Sequence, residues 1–355
     1  MKKTLTIAID SSSPSAEQQA GFFSQLQQSP AFLNDIQLQD AQLHVVLEET
    51  ALVSTLGRSA FLGATGAKSV LTLVCSQSLT EVFGFLLHVC HQQGIAGVAV
   101  ERFSTQAPVA IHLALSESVD ALSTSLSAPD QANFDSCLQS SQEFSQARRL
   151  AVFDMDSTLI QAEVIDELAR EIGIQDQVGE ITESAMRGEI DFTESFSRRL
   201  SLLKGLESCV LDGIMARIQL TPGAQDLMAE LKAKGFKTAL VSGGFTYFAT
   251  QFAEILGMDY VFANELDFQD GELTGQPVLP IVDSQRKAAI VAQLAAENGL
   301  LLNQVVTVGD GANDIPMLEK AGLGIAFCAK PKVQAVADQS VKQLNLSHLR
   351  YYFNA

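Results

Sequence analysis

The chain has 355 residues, 47% of them hydrophobic, and a formal net charge of −18. That apolar share supports a folded core and excludes global disorder, and the length suits about two domains. The acidic balance argues against nucleic acid or an anionic membrane as the main partner, and it requires any anionic substrate to find a local positive site from metal, Lys or Arg.

Taken in chain order, "MKKTLTIAIDSS" faintly resembles a signal peptide, but its apolar core is short and Asp10 breaks it. "TLTIAID" and "SVLTLVCS" predict strands. Between them "GATGAKS" looks like a phosphate-binding glycine loop, yet it lacks an adjacent Gly-Lys and leads into a strand. "LTEVFGFLLHVCHQQG" has helical spacing and stops at Gly94; packing accounts for His88 and His91 on one face. Its apolar part falls short of the about 20 residues a bilayer requires. "IAGVAVERF" and "VAIHLAL" predict two more strands. Residues 1–115 therefore read as a small α/β domain, with a stretch around 48–68 outside its order. Residues 116–148 are rich in Ser, Gln and Ala and read as a connector with some helix after Pro129. The five cysteines, Cys75, Cys90, Cys137, Cys209 and Cys328, are scattered and form no C-x-x-C. Buried thiols in a reducing, cytoplasmic setting fit that usage better than disulfides or zinc.

From residue 149 the rhythm becomes strand, loop, helix. "RLAVFDMDST", "KTALVSGG" and "QVVTVGDGAND" each open on a β-rich run and end in Gly, Ser or Asp. Helical stretches such as "GAQDLMAELKAKG" and "SQRKAAIVAQLAAENG" lie between them. Alternation of this kind predicts a Rossmann-like parallel sheet with helices on both faces. The helical stretches over about 161–222 are too long for a crossover and predict a cap over the strand ends. Asp270-Gly271 in "DFQDGELTGQ" signals a hairpin.

Ligands bind such sheets outside the carboxyl ends of the strands. Three polar clusters should therefore meet there: Asp154/Asp156/Thr158, Ser242/Gly243/Gly244 and Asp310/Gly311/Asn313/Asp314. Converging carboxylates need a cation, and hard oxygen donors without a nearby His suit Mg²⁺. With it, Asp154 suits the role of nucleophile on phosphorus, and Asp156, on the same strand face, that of proton donor and acceptor. Ser242, Gly243 and Lys287 suit a phosphate group, and Asp310 and Asp314 suit a metal ligand and its support. Each residue alone has a plainer role. Asp156, Ser242 and Asp314 read as turn or cap residues. Lys287, Arg199 and Glu163 read as surface charges. The joint placement of the three clusters at strand ends favours the catalytic reading.

"DMDST", "SGG", Lys287 and "GDGAND" together resemble the haloacid dehalogenase superfamily of phosphotransferases, whose first motif is D-x-D-x-T. "QAEVIDELA", "AMRGEIDFTESFSRRLSLLKG", "LTPGAQDL", "SGGFTYFA", "ANEL" and "VGDGANDIPMLEKAGLGIAFCAKP" narrow the resemblance to its phosphoserine phosphatases over about 150–345. The resemblance implies Mg²⁺-dependent hydrolysis of O-phospho-L-serine, the last step of serine biosynthesis, through an aspartyl-phosphate. It implies Asp154 as nucleophile and Asp156 as general acid/base. Mg²⁺ falls to Asp154, the main-chain carbonyl of Asp156 and Asp310. Phosphate falls to Ser242, Gly243 and Lys287, with Asn313 nearby. Glu163 and Arg199 grip the substrate's amino and carboxylate groups, and Phe192 closes over it. Some members carry amino-acid-binding regulatory domains of the ACT type, βαββαβ, and residues 1–115 are compatible with that order. An amino-acid effector and a homodimer are the matching expectations. Rival readings are another small phosphomonoester as substrate, or an amino-acid sensor without catalysis. The absence of membrane-length apolar runs excludes an ion-pumping ATPase.

Overall fold

The computed structural model describes residues 2–8, 33–39, 42–48, 68–75, 98–103, 109–115, 134–187 and 189–353. They fall in two compact units, residues 1–146 with 351–354, and residues 147–350. The expected helix over 79–94 with His88 and His91, the glycine loop at 63–67, and any helix directly after Pro129 lie outside the described residues.

The first unit holds two antiparallel sheets. β1 (Lys2–Ala8), β2 (Leu33–Gln39) and β3 (Gln42–Glu48) form one, in the order β1-β3-β2. The last two escape a sequence reading because polar residues interrupt their short apolar runs. β4 (Ser69–Cys75), β5 (Val98–Phe103), β6 (Val109–Leu115) and β7 (Phe134–Ser140) form the other, in the order β5-β6-β4-β7. β7 falls within 116–148, the stretch expected to be a connector, and it pairs with β4 from Ser69↔Ser140 to Cys75↔Phe134. The difference has a physical cause. Asp135, Cys137 and Gln139 face inward on β7, so the usual apolar alternation is absent. α1 (Ser141–Ser145) follows directly, started by a capping box of Ser140 and Glu143.

The second unit is built on one parallel sheet. β8 (Leu150–Phe153) opens it, and four helices follow: α2 (Val164–Glu171), α3 (Gln175–Met186), α4 (Phe192–Leu202) and α5 (Val210–Arg217). α6 (Ala224–Ala233) returns the chain to β9 (Lys237–Phe245), and α7 (Thr246–Leu256) leads to β10 (Tyr260–Asn264). β11 (Leu266–Gln269) and β12 (Glu272–Pro277) make the expected hairpin, turning through Asp270 and Gly271, both at positive φ. Next come α8 (Ser284–Glu297), β13 (Val305–Gly309), α9 (Ile315–Lys320), β14 (Leu323–Phe327), α10 (Pro331–Gln334) and β15 (Gln339–Val341).

The strand order is β10-β9-β8-β13-β14-β15, every neighbour parallel. The chain builds outward from β8 to β10 and then starts again on the other side of β8. That reversal places the crevice of the sheet at the end of β8. Leu150, Val152, Ala239, Val241 and Val305 pack with Ile290, Val291 and Leu294 of α8 on one face. The alternate residues Ala151, Phe153 and Leu240, equally buried, serve the other face.

The four helices between β8 and α6 form the cap. The two passages joining it to the sheet pair with each other, through an antiparallel bridge Ile160↔Leu220. Gln161 N–H donates to Gln219 O at 2.9 Å and Thr221 N–H to Leu159 O at 2.9 Å. The β11–β12 hairpin completes the cap side. Gly275, at φ 73°, lies so close to α4 that a Cβ there would stand 2.9 Å from Lys204 Cβ. No helix among the described residues is long and apolar enough to cross a membrane.

Candidate active site

Asp154 is the first residue past β8. Its N–H donates to Val308 O at 2.9 Å, so its backbone continues the sheet. Its Oδ1 accepts from Met155 N–H at 2.7 Å. The chain then makes a wide turn over residues 155–159, with Ser157 at φ 55°. A left-handed serine is mildly strained, and here it lets the chain reverse within a few residues towards the cap. Thr158, at the end of that turn, is buried and donates weakly to Asp310 Oδ1, 3.4 Å away.

Lys287 sits in the first turn of α8, where Asp283 caps the helix by accepting from Arg286 N–H at 2.7 Å. Its side chain is 1% exposed and its Nζ donates to Asp154 Oδ1 at 2.8 Å and Asp314 Oδ1 at 2.7 Å. Burial disfavours the ammonium, but Asp154 and Asp314 outweigh it and hold Lys287 above its ordinary pKa. Asp314 is itself fully buried and its Oδ2 accepts from Gly311 N–H at 3.0 Å. Carboxylate oxygens of Asp154, Asp310 and Asp314 lie within 4.8 Å of one another. Burial raises Asp154 well above the usual carboxylate range, Asp314 pushes the same way and Lys287 pulls it down. Burial and Asp314 lift Asp310 to about 7. One ammonium against three crowded carboxylates leaves negative charge in a poorly solvated place, the setting that hard divalent cations stabilise.

The carboxyl end of β9 brings Ser242, Gly243 and Gly244 to the same place. Ser242 is fully buried and its Oγ accepts from Gly244 N–H at 2.8 Å. A Cβ on Gly244 would stand 2.7 Å from Asp156 Oδ2, and one on Gly243 would stand 3.1 Å from Phe192 Cζ. A side chain at Gly244 would crowd the site, and the contact at Gly243 shows that the cap reaches the end of β9 through Phe192. That ring lies parallel to Phe196, centroids 6.1 Å apart.

Asp156 Oδ1 accepts from Val164 N–H, 3.1 Å away at the start of α2. Burial raises its pKa well above the ordinary value, the charge of Glu163 adds to the rise and the Val164 bond opposes it. Glu163 Oε1 accepts from Ser157 Oγ at 2.6 Å. Burial raises Glu163, and Ser157 and Arg199 lower it. Arg199, in the last turn of α4, has its pKa lowered by burial, with Asp166, Glu163 and Asp156 acting against that. An acid and a guanidinium from the cap thus stand over the buried carboxylates.

Every expected site residue falls in this region: Asp154, Asp156, Ser242, Gly243, Lys287 and Asp310 at the strand ends, Glu163, Phe192 and Arg199 on the cap. Asn313 lies against Gly311 in the turn after β13. The side-chain cluster around Asp154 and Asp310 is completed by Asp314. Asp166, beside Arg199, and Asn264, at the end of β10, were not singled out by sequence reasoning. Asn264 Nδ2 donates to Gly243 O at 2.8 Å and its Oδ1 accepts from Val282 N–H at 2.7 Å.

Haloacid dehalogenase-like hydrolases match residues 151–319 of the chain. A phosphoserine phosphatase of Archaeoglobus fulgidus is 50% identical over 217 residues, which are 61% of this chain and 63% of that one. One of Lactococcus lactis subsp. lactis is 50% identical over 200 residues, 56% of this chain and 93% of its own. A solved structure of a phospho-aspartyl intermediate analogue of phosphoserine phosphatase superposes with a TM-score of 0.56 at 42% identity, covering 59% of this chain and 100% of its own. The chain belongs to the phosphoserine phosphatase family of the haloacid dehalogenase-like hydrolases.

Proposed function

We propose that the chain hydrolyses O-phospho-L-serine to L-serine and phosphate through an aspartyl-phosphate on Asp154, as the last step of serine biosynthesis. The observation that carries this reading is the pairing of a buried, lysine-held Asp154 with Glu163 and Arg199 above it. A zwitterionic head needs one anionic and one cationic partner, and a guanidinium fork matches a carboxylate.

The steps follow from the side chains. Ser242, the Gly243 turn and Lys287 hold the phosphate, and Phe192 lies over it. The Asp154 carboxylate attacks phosphorus, and the bond to the serine oxygen breaks. Asp156, kept protonated by burial and by Glu163, gives that oxygen its proton. Asp156, now ionised, takes a proton from water, which attacks the phosphorus, releases phosphate and restores Asp154. Asp154, Asp310 and the carbonyl of Asp156, with Asp314 in support, suit Mg²⁺; the ion would neutralise charge building on the phosphate oxygens.

Phosphate release from a panel of phosphomonoesters, with and without Mg²⁺ and added serine, tests the proposal. Phosphoserine should be turned over best, and only with Mg²⁺. Preference for an ester lacking amino and carboxylate groups would remove Glu163 and Arg199 from recognition. An amino-acid effector at the N-terminal unit and a homodimer belong to the same proposal. Inhibition by serine and light scattering test them.

A further inference from the structure

Asn264 is 2% exposed and lies outside the constellation that touches substrate in the proposed reaction. Its two hydrogen bonds run to main-chain atoms of two different segments, the end of β9 and the loop before α8. Nδ2 donates to the carbonyl of Gly243 in the phosphate turn, and Oδ1 accepts from the N–H of Val282. Val282 immediately precedes Asp283, the cap of α8, and Lys287 N–H donates to Asp283 O at 2.9 Å. One amide thus joins the turn that carries Ser242 and Gly243 to the helix turn that carries Lys287. The backbone around Asn264 is shaped for this. Regular pairing of β10 with β9 stops at Phe262↔Val241 and resumes, shifted, at Asn264↔Phe245. The irregularity lets Asn264 reach back to the carbonyl two residues before its strand partner.

We infer that Asn264 is a positioning residue that fixes the phosphate turn relative to Lys287. Both groups must meet the same phosphate, one from β9 and one from α8, and errors in their spacing weaken every contact at once. Neither loop has a side chain of its own that makes both bonds. The inference rests on the phosphate-binding reading of Ser242, Gly243 and Lys287, and it is independent of which alcohol the phosphate leaves.

Three variants test it. Asn264→Ala removes both bonds. Asn264→Asp keeps the size and the bond from Val282 N–H but cannot donate to Gly243 O, and it carries the test where the alanine variant fails to fold. Val282→Ala trims the same buried loop and keeps its N–H, so it reports a purely structural loss. Each is assayed on phosphoserine, on phenyl phosphate and for inorganic phosphate binding by calorimetry, with melting temperatures alongside. Both Asn264 variants should lower kcat/KM about tenfold or more on the two esters alike and weaken phosphate binding similarly. Val282→Ala should melt lower yet bind phosphate like the parent. Three results would overturn the inference: unchanged phosphate binding in the Asn264 variants, losses confined to phosphoserine, or an equal loss in Val282→Ala. A parent protein that binds phosphate but spares phosphoserine sinks the substrate proposal and leaves this test in force.

Discussion

Lys287 shows at the scale of one residue why this site works as a unit. A fully buried ammonium persists only because Asp154 and Asp314 both face it, and those two tolerate each other only because it stands between them. Lys287 thereby pulls the Asp154 pKa back against the rise from burial and aims its carboxylate. Asp154→Asn keeps the shape and removes the nucleophile, so steady-state turnover should fall by about three orders of magnitude or more. In the proposed reaction Arg199 meets a different part of the substrate. Arg199→Ala should cost about 100-fold in kcat/KM on phosphoserine and far less on phenyl phosphate, because only the first carries a carboxylate. Equal losses on the two esters would take Arg199 out of substrate recognition. The carboxylates themselves were legible in the sequence, because three polar clusters at the ends of strands in one parallel sheet have to converge. Asn264 was not: an asparagine at a strand end reads as a turn, and the partners that give it meaning are 21 and 18 residues away in sequence. Asp314 was legible only as support, because its bond to Lys287 spans 27 positions.

Whole elements repeat the same contrast. The parallel strands announced themselves by apolar runs that end in Gly, Ser or Asp, and the cap helices by apolar spacing. β7 hid because its inward face carries the polar Asp135 and Gln139 on either side of Cys137, which blurs the period-two signal. The hairpin was legible in Asp270-Gly271, but its role was not, since nothing in the sequence says that it lies against α4. Gly275 makes that contact, and its neighbours there include backbone, Leu200 O and Ser201 Cα each 3.3 Å from an added Cβ. Gly275→Ala combines an unfavourable positive φ with that crowding. It should destabilise the chain by about 1–3 kcal/mol, read as an earlier denaturation midpoint at unchanged m-value.

At the scale of the molecule, the sheet, the cap and every expected site residue belong to residues 147–350. All six parallel strands pair only with one another, within that unit. A fragment of residues 147–355 should therefore fold and release phosphate from phosphoserine at a rate within about an order of magnitude of the whole chain. Loss of a cooperative thermal transition in the fragment would show that the first unit is needed for folding. The net charge of −18 bears on the same scale. An acidic body repels an anionic ester at long range, so attraction has to be local, and in the proposed reaction Lys287 and Arg199 supply it beside the carboxylates.

The ribbon at Ile160 and Leu220 gives the cap a hinge pin. Two separate tethers would let it wobble in several directions, whereas two tethers laddered together leave one easy axis, as for a door. Val164 stands just past that pin, and its N–H grips Asp156. In the proposed reaction an outward swing of that door would slacken the grip on Asp156, so that the acid would be aimed only while the door is shut.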